Sequence, residues 1–363
     1  MLLKKLINNH HIKNNIEVKG LATNSNKIKK GFIFFAMKGL KQNGETYIND
    51  AIKRGAIAVI CSKKCKFNNK KVSVIKTSDI RNLLSEVSSK FYKLKPKNII
   101  AVTGTNGKTS VADYFYQILS LCKIPVASIG TLGIKYNNKV IKTELTSPDT
   151  ISLHKELEII KKNKIENVIV EASSHGLNQK RLEHLNFRAG IFTNFSQDHL
   201  DYHKTMNSYL RSKLHLFKNI LSKKKTVISD SSIKEYKILN KICKKRNLKL
   251  IDINKKKDQK LENSNLKLDS IRSKNIFMAL EAAKLCSPRK KFSLLNLKNL
   301  SQASGRMELV RTFPNNIKVF VDFAHTPDAL KKALNEIKSF YGEVTSLVFG
   351  CGGDRDYKKR PLM

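Results

Sequence analysis

The stretch from Val102 to Thr109 reads VTGTNGKT, and its residue types and spacing suit a loop that holds phosphates. Glycines let the backbone approach phosphate oxygens, and a helix starting at the end of the turn presents its positive N-terminus to an anion. Lys108 would reach the terminal phosphates, and the Thr109 hydroxyl would ligate magnesium. The position five before Gly107 is Val102 and not glycine, so this is not the standard eight-residue phosphate loop. A glycine-rich turn that binds nothing is the competing explanation, and Gly-Lys-Thr at the loop's end weighs against it.

Three further segments carry candidate chemistry. VIVEASSHGLNQKR, residues 168–181, reads as a strand ending in Glu171, near the sheet edge where open α/β sheets bind their ligands. A carboxylate there is a natural magnesium ligand. TNFSQDHLDYHKTMNSYLRSKLHLF, residues 193–217, brings Asp198, His199, Asp201 and His203 together as a metal cluster or as a capping turn before a helix, and both stay open. The last segment joins SGRMELV (304–310), VDFAHTPDAL (321–330) and FGCGGDRD (349–356). Arg306 would pair with a phosphate, and Asp322 would accept from a ribose hydroxyl.

The elements around these residues alternate. Strand-like runs at Phe32 to Ala36, Ala58 to Cys61 and Val72 to Ile75, with helical Ile48 to Arg54, predict a small α/β domain. Leu94-Lys95-Pro96-Lys97 reads as a linker. Beyond it, Ile99 to Val102 is a buried strand, and Val111, Phe115, Ile118, Leu119 and Cys122 fall on one face of a helix. Strands at Asn167 to Val170, Ala189 to Thr193 and Thr226 to Ser229, with helices between, predict a largely parallel sheet. The Lys-rich stretch 240–270 reads as surface. A third unit from Ser301 holds a strand at Val319 to Val321, a helix after Pro327 and a strand at Leu347 to Phe349.

Composition narrows the classes. The 363 residues carry a net charge of +41, yet the basic residues are mostly Lys, spread from Lys4 to Lys359. Arg is the residue of choice for bidentate phosphate and base contacts, so its scarcity argues against a nucleic-acid reader. The charge serves instead to attract a small anionic substrate. Six scattered Cys show no CxxC pair and no zinc spacing, which fits reduced thiols in a cytoplasmic protein. No apolar run has the length of a signal peptide or a membrane span.

Taken in order, GTNGKT, EASSHGL, DHLDYH, GRME, DFAHTPDAL and FGCGGDRD resemble the Mur ligases, ATP-dependent amide-forming enzymes of peptidoglycan precursor synthesis, and within them the MurE type. GTNGKT alone also fits the related folylpolyglutamate synthases. The resemblance runs from about Gly20 to Met363. It implies an α/β, three-domain architecture: an N-terminal UDP-substrate-binding domain (1–95), a central ATP-binding domain with a P-loop-like parallel sheet (96–300) and an incomplete Rossmann-like amino-acid-binding domain (301–363).

The resemblance also implies an activity and the residues for it. The enzyme would join a third amino acid, meso-diaminopimelate, to UDP-N-acetylmuramoyl-L-alanyl-D-glutamate through an acyl phosphate, using ATP and Mg2+. Gly104, Thr105, Asn106, Gly107, Lys108, Thr109 and Ser110 would hold the ATP phosphates, with Arg306 and Asp322 reaching the nucleotide. Thr109, Glu171, His199 and Lys213, the last as N6-carboxylysine, would hold magnesium; Lys108, Lys213 and His199 would be catalytic. Thr146, Ser147, Ser173, Gln179 and Arg181 would hold the muramoyl-dipeptide, and Thr23, Ser25, Leu40, Lys41 and Gln42 the UDP end. Partners would be small molecules only, with no nucleic acid and no membrane, and the protein a cytoplasmic monomer.

The sequence also departs from the family. Its DSR is Asn24-Ser25-Asn26 here, and the first Asn of its FNxxN segment is Arg272, which bears on the nucleotide-base contact. The shortness of 230–270 predicts a central domain lacking peripheral strands. The third domain stops before the family's amino-acid-reading motif, which predicts a chain that binds UDP-muramoyl-dipeptide and ATP without ligating, with apolar faces open at Val319, Val321, Leu347 and Val348. Two other classes remain: another amide ligase of the superfamily, such as a folylpolyglutamate synthase, or a non-enzymatic nucleotide- or nucleic-acid-binding protein.

Overall fold

Ile33 and Phe35 point to one face of a sheet and Phe34 and Ala36 to the other, and all four are buried. A parallel sheet covered on both faces produces this pattern. The computed structural model describes residues 1–7, 16–39, 42–255, 271–290, 292, 299–342, 345–351 and 356–363. The described chain divides into two compact units.

The first unit takes Met1–Lys95 with Pro148–Asn163 and Gln179–Leu185. Its sheet runs β1 (Gly20–Ala22), β2 (Phe32–Phe35), β3 (Ala56–Ser62), β4 (Ser73–Thr77), all parallel and in sequence order. Carboxylates start two of its helices: Asp79 accepts from Asn82 N at 3.0 Å before Ile80–Phe91, and Asp149 accepts from Ser152 N at 3.0 Å before Thr150–Lys162.

The second unit takes Pro96–Ser147, Lys164–Asn178 and Asn186–Met363. The boundary at Lys95/Pro96 falls in the linker read from the proline, while the segment after Ser301 groups with the central sheet. That sheet contains β5 (Asn98–Thr103), β6 (Val126–Gly130), β7 (Gly133–Tyr136), β8 (Lys139–Ile141), β9 (Asn167–Glu171), β10 (Phe187–Phe192), β11 (Thr226–Ser229) and β12 (Lys249–Asp252). Their order is β12-β11-β10-β5-β9-β6-β7-β8, parallel except for the edge strands β7 and β8. Val111, Phe115, Ile118 and Leu119 of helix Lys108–Leu121 share one apolar cluster with Ile276, Ala279 and Ala283 of helix Ile271–Cys286. Each large side chain so buried contributes roughly 1.5–3 kcal/mol. The loop before the first of these helices is thereby fixed to a rigid base.

Three expectations need correction. The stretch 240–270 is not simply surface. Through residue 255 it forms the end of helix Tyr236–Arg246 and strand β12, with Ile242, Cys243, Ile251 and Ile253 buried. Lysines on the outer helix face mask this pattern in the composition, and residues 256–270 lie outside the described set. The central sheet consequently has a peripheral strand, β12 on β11. The third unit is not strand-helix-strand. It is an antiparallel hairpin, β13 (Glu308–Thr312) with β14 (Lys318–Val321), followed by helix Pro327–Tyr341. Leu347 to Phe349 forms no strand and pairs with none among the described residues, and Val348 is 98% exposed. Val319, Val321 and Leu347 are also exposed, although β14 finds a partner in β13. Among the described residues no helix is long and apolar enough to cross a membrane.

One buried group sets an acid limit on the first unit. His154 is 0% exposed, and neither ring nitrogen has a hydrogen-bond partner among the described residues. Burial, with Lys95 nearby, pushes its pKa down to about 3. The unfolded chain takes up this proton near pH 6.5, whereas the folded chain resists until about pH 3, so the full stability present above pH 6.5 is lost as pH falls toward 3. Lowering pH from 7.5 to 5.5 should therefore cost about 1.4 kcal/mol at this residue. In urea titrations at the two pH values, His154→Leu should lose about 1.4 kcal/mol less than wild type; equal losses would contradict the assignment.

Candidate active site

The loop after β5 is held by the end of β10. Thr105 N donates to Asn194 O at 2.9 Å, Asn106 N to Asn194 Oδ1 at 2.9 Å, and Thr193 Oγ1 to Asn106 O at 2.6 Å. The Thr105 hydroxyl donates to Ser196 O at 3.1 Å and accepts from Ser196 N at 3.0 Å. Gly104 adopts φ +149°, and a Cβ there would collide with Thr193 Oγ1. Only glycine fits where the loop leaves the strand. Gly107, at φ +83°, starts helix Lys108–Leu121, so the loop ends on a helix N-terminus.

Two lysines converge on this loop. Lys108 Nζ donates to Gly104 O at 3.0 Å and Thr105 O at 2.7 Å, positions it would leave for a phosphate. Lys213, 1% exposed, also donates to Gly104 O at 2.6 Å, and its Nζ lies 4.4 Å from the Tyr209 ring centroid. Burial, then repulsion from Lys108, pushes Lys213 well below the usual lysine range against the pull of Asp198. Burial also lowers Lys108, which Glu171 and Asp198 partly offset.

Glu171, at the end of β9, is 1% exposed. Its Oε1 accepts from Thr131 N at 2.9 Å, and its Oε2 accepts from Thr109 Oγ1 at 3.0 Å and Thr131 Oγ1 at 3.2 Å. A side chain at Gly130 would collide with Glu171 Oε1, so β6 must be bare there. Burial raises the Glu171 pKa, while Lys108 and the Thr131 N–H hold it down.

The DHLDYH segment does not close into a metal cluster. Asp201 is exposed, and buried His203 places Nε2 3.0 Å from Ser174 Oγ. Among the described residues no group of three His, Cys, Asp or Glu side chains is arranged to hold a metal ion by itself. His199 takes φ +55° before helix Leu200–His203 and its side chain makes no capping hydrogen bond there, so the capping-turn alternative is not met at His199 either. Its Nε2 lies 3.2 Å from Asp198 Oδ2. Burial pushes the His199 pKa down to about 3, with Asp198 opposing and His175, Lys213 and Lys108 adding. The imidazole is accordingly neutral, as a metal-ligating histidine must be.

Lys108, Thr109, His199, Lys213, Arg306 and Asp322, among others, line a cavity of about 1180 Å3. Asn106, Gly107 and Ser110 line it as well. Arg306 Nη2 donates to Thr109 Oγ1 at 3.3 Å, and the guanidinium lies 4.5 Å over the Phe323 ring. Both oxygens of Asp322 accept backbone N–H groups, from Met307 and Ala324, each at 2.8 Å. Arg272 lines the cavity too, but its Nη2 donates to Leu300 O at 2.9 Å.

The remaining candidates separate. Thr146 and Ser173 line the cavity, with Thr146 Oγ1 3.2 Å from Thr131 Oγ1. Ser147 does not line it. It is 0% exposed, donates to Glu171 O at 2.7 Å and accepts from Ser173 N at 2.9 Å, so it braces the strand end. Thr23, Ser25, Gln42, Gln179 and Arg181 belong to the first unit, where Asn24 caps Asn26 N at 2.9 Å and Gln179 Oε1 accepts from Arg181. Leu40 and Lys41 lie outside the described residues, as does most of GCGGDRD. Sequence reasoning missed Thr131, Thr193, Asn194, Tyr209, His325 and Lys359. TNF before the DH pair hinted at Thr193 and Asn194; the others carry no spacing signal.

Comparisons with known proteins agree on one family. Residues 102–307 match the Mur ligase middle domain, 305–363 the Mur ligase, glutamate ligase domain, and 17–92 the Mur ligase family, catalytic domain. The chain is 38% identical to the UDP-N-acetylmuramoyl-L-alanyl-D-glutamate–2,6-diaminopimelate ligase of Rickettsia montanensis and 39% identical to that of Rickettsia bellii. Each match covers 99% of this chain and 78% of the relative. A solved 2,6-diaminopimelate ligase of the same name superposes with a TM-score of 0.72 at 27% identity, covering 100% of this chain and 79% of that one. MurF ligase from Thermotoga maritima, solved with ADP, shares the fold at a TM-score of 0.56 and 16% identity, covering 89% of this chain and 75% of its own. The chain belongs to the Mur ligase family.

Proposed function

We propose that the protein is the ATP-dependent ligase that joins 2,6-diaminopimelate to UDP-N-acetylmuramoyl-L-alanyl-D-glutamate in peptidoglycan precursor synthesis. It would act as a cytoplasmic monomer with three domains, at 1–95, 96–300 and 301–363. The observation that carries this reading is Lys108 on its glycine loop beside Thr109, both lining one cavity and Thr109 hydrogen-bonded to buried Glu171, in a chain 38% identical to ligases of that name.

The chemistry asks for charge control. A carboxylate is a poor electrophile, and moving the γ-phosphoryl group of ATP onto it gives an acyl phosphate that an amine attacks. Lys108 and the loop N–H groups from Gly104 to Ser110 would hold the phosphates, and Arg306 would approach them from the far wall. The donor set fits magnesium: Thr109 Oγ1 and Glu171 Oε2 are hard oxygens 3.0 Å apart, and neutral His199 lines the cavity together with Thr109. Bound there, magnesium would neutralise phosphate charge. A charged Lys213 would repel it. The depressed pKa favours the neutral Lys213 amine, the form that would add CO2, releasing a proton and becoming an anion with two oxygen donors. Thr146 and Ser173 would meet the muramoyl-dipeptide, with Gln179 and Arg181; Thr23, Ser25, Leu40, Lys41 and Gln42 would meet its UDP end.

Calorimetry and mass spectrometry test this assignment together. The chain should bind ADP with magnesium and UDP-muramoyl-dipeptide, and any amide product should contain diaminopimelate when lysine competes at equal concentration. Failure to bind either ligand would end the ligase reading, and a lysine product would end the diaminopimelate assignment. In the same calorimeter, Lys108→Ala should weaken ATP binding about 10- to 100-fold, the worth of a charged hydrogen bond. Wild-type affinity would remove Lys108 from the phosphate site.

A further inference from the structure

Asp198 stands beside the phosphate site, and its partners come from far along the chain. It is 2% exposed. Lys359, 161 residues away and 4% exposed, donates to its Oδ1 at 3.0 Å. On Oδ2 it meets His325 Nε2 and His199 Nε2, each at 3.2 Å. Neighbouring contacts follow the same seam. Gln197 Nε2 donates to Asp356 Oδ2 at 3.3 Å, and Asn106 Nδ2 lies 3.4 Å from Asp328 Oδ2 and 3.5 Å from Thr326 Oγ1. Residues 196–199 and the phosphate loop thus meet two separate pieces of the C-terminal segment, 325–328 and 356–359.

A buried ion pair adds little net stability, because desolvation offsets the attraction, but losing one partner leaves a buried charge unpaired. Such a pair selects one arrangement and penalises the others. We propose that Asp198 is a positioning residue: its carboxylate seats the C-terminal segment, through Lys359 and His325, and by the same two oxygens orients His199 toward the phosphate cavity. Seating of residues 325–328 and 356–359 and the orientation of His199 are then one event. The inference rests on these contacts and not on the identity of the amine, so its failure leaves the ligase assignment standing.

Lys359→Met tests it, because Lys359 does not line the cavity. Hydrogen exchange by mass spectrometry should rise at least tenfold in peptides covering 322–330 and stay unchanged in β5 and β9. The imidazole 15N signals of His199, assigned by their loss in His199→Gln, should shift from their wild-type positions. Mere loosening of the segment would leave those signals alone. If the unpaired carboxylate prevents folding, Asp198→Asn combined with Lys359→Met removes both charges and should fold. That double variant should show the same exchange and the same His199 shift. Wild-type exchange in 322–330, or unmoved His199 signals, in whichever variant folds would overturn the proposal.

Discussion

One carbonyl oxygen, that of Gly104, receives two lysine side chains, Lys108 at 3.0 Å and Lys213 at 2.6 Å. Two ammonium ions so close, with one of them 1% exposed, cannot both stay charged at low cost. The rest of the site follows from how that conflict is relieved. Both lysines line the cavity, but Lys108 has two anionic neighbours, Glu171 and Asp198, whereas Lys213 sits against the Tyr209 ring with Asp198 alone opposing its burial. Burial lowers both pKa values, and that of Lys213 is driven well below the usual lysine range.

The fold exists to hold this arrangement still. Gly104 is fixed by the end of β5, Thr193 and Asn194 by β10, and Glu171 by β9, three adjacent parallel strands. Each contributes from its C-terminal end, the edge at which open α/β sheets gather their ligand sites. Lys213 arrives on a separate helix, Met206–His215, and its lowered pKa depends on being dry. A looser seat for that helix would rehydrate the amine and restore its charge.

How much of this was legible depended on the range of each interaction. The strands at 98–103, 167–171 and 187–192 stood out because a sheet buried on both faces demands continuous apolar runs. Strand β8, whose three residues are all exposed, carries no such pattern, and the lysines of Tyr236–Arg246 concealed a helix face. Glu171 and the loop were found from local motifs. Ser147 was read as a substrate contact, although its hydroxyl is spent on Glu171 O and Ser173 N. Partners such as Asn194 for Asn106, or Lys359 for Asp198, lie 88 and 161 residues apart and leave no periodic trace. Lys213 looked like any surface lysine until the family resemblance singled it out; burial then supplied the physical reason.

The central claim is that Lys213 is a neutral, modifiable amine at neutral pH. The direct measurement is 13C NMR of the protein equilibrated with 13C-bicarbonate at pH 7.5, in wild type and in Lys213→Ala. The account predicts one protein-bound carbamate resonance in the wild type that is absent from the variant. No carbamate resonance, or one that persists without Lys213, would contradict it.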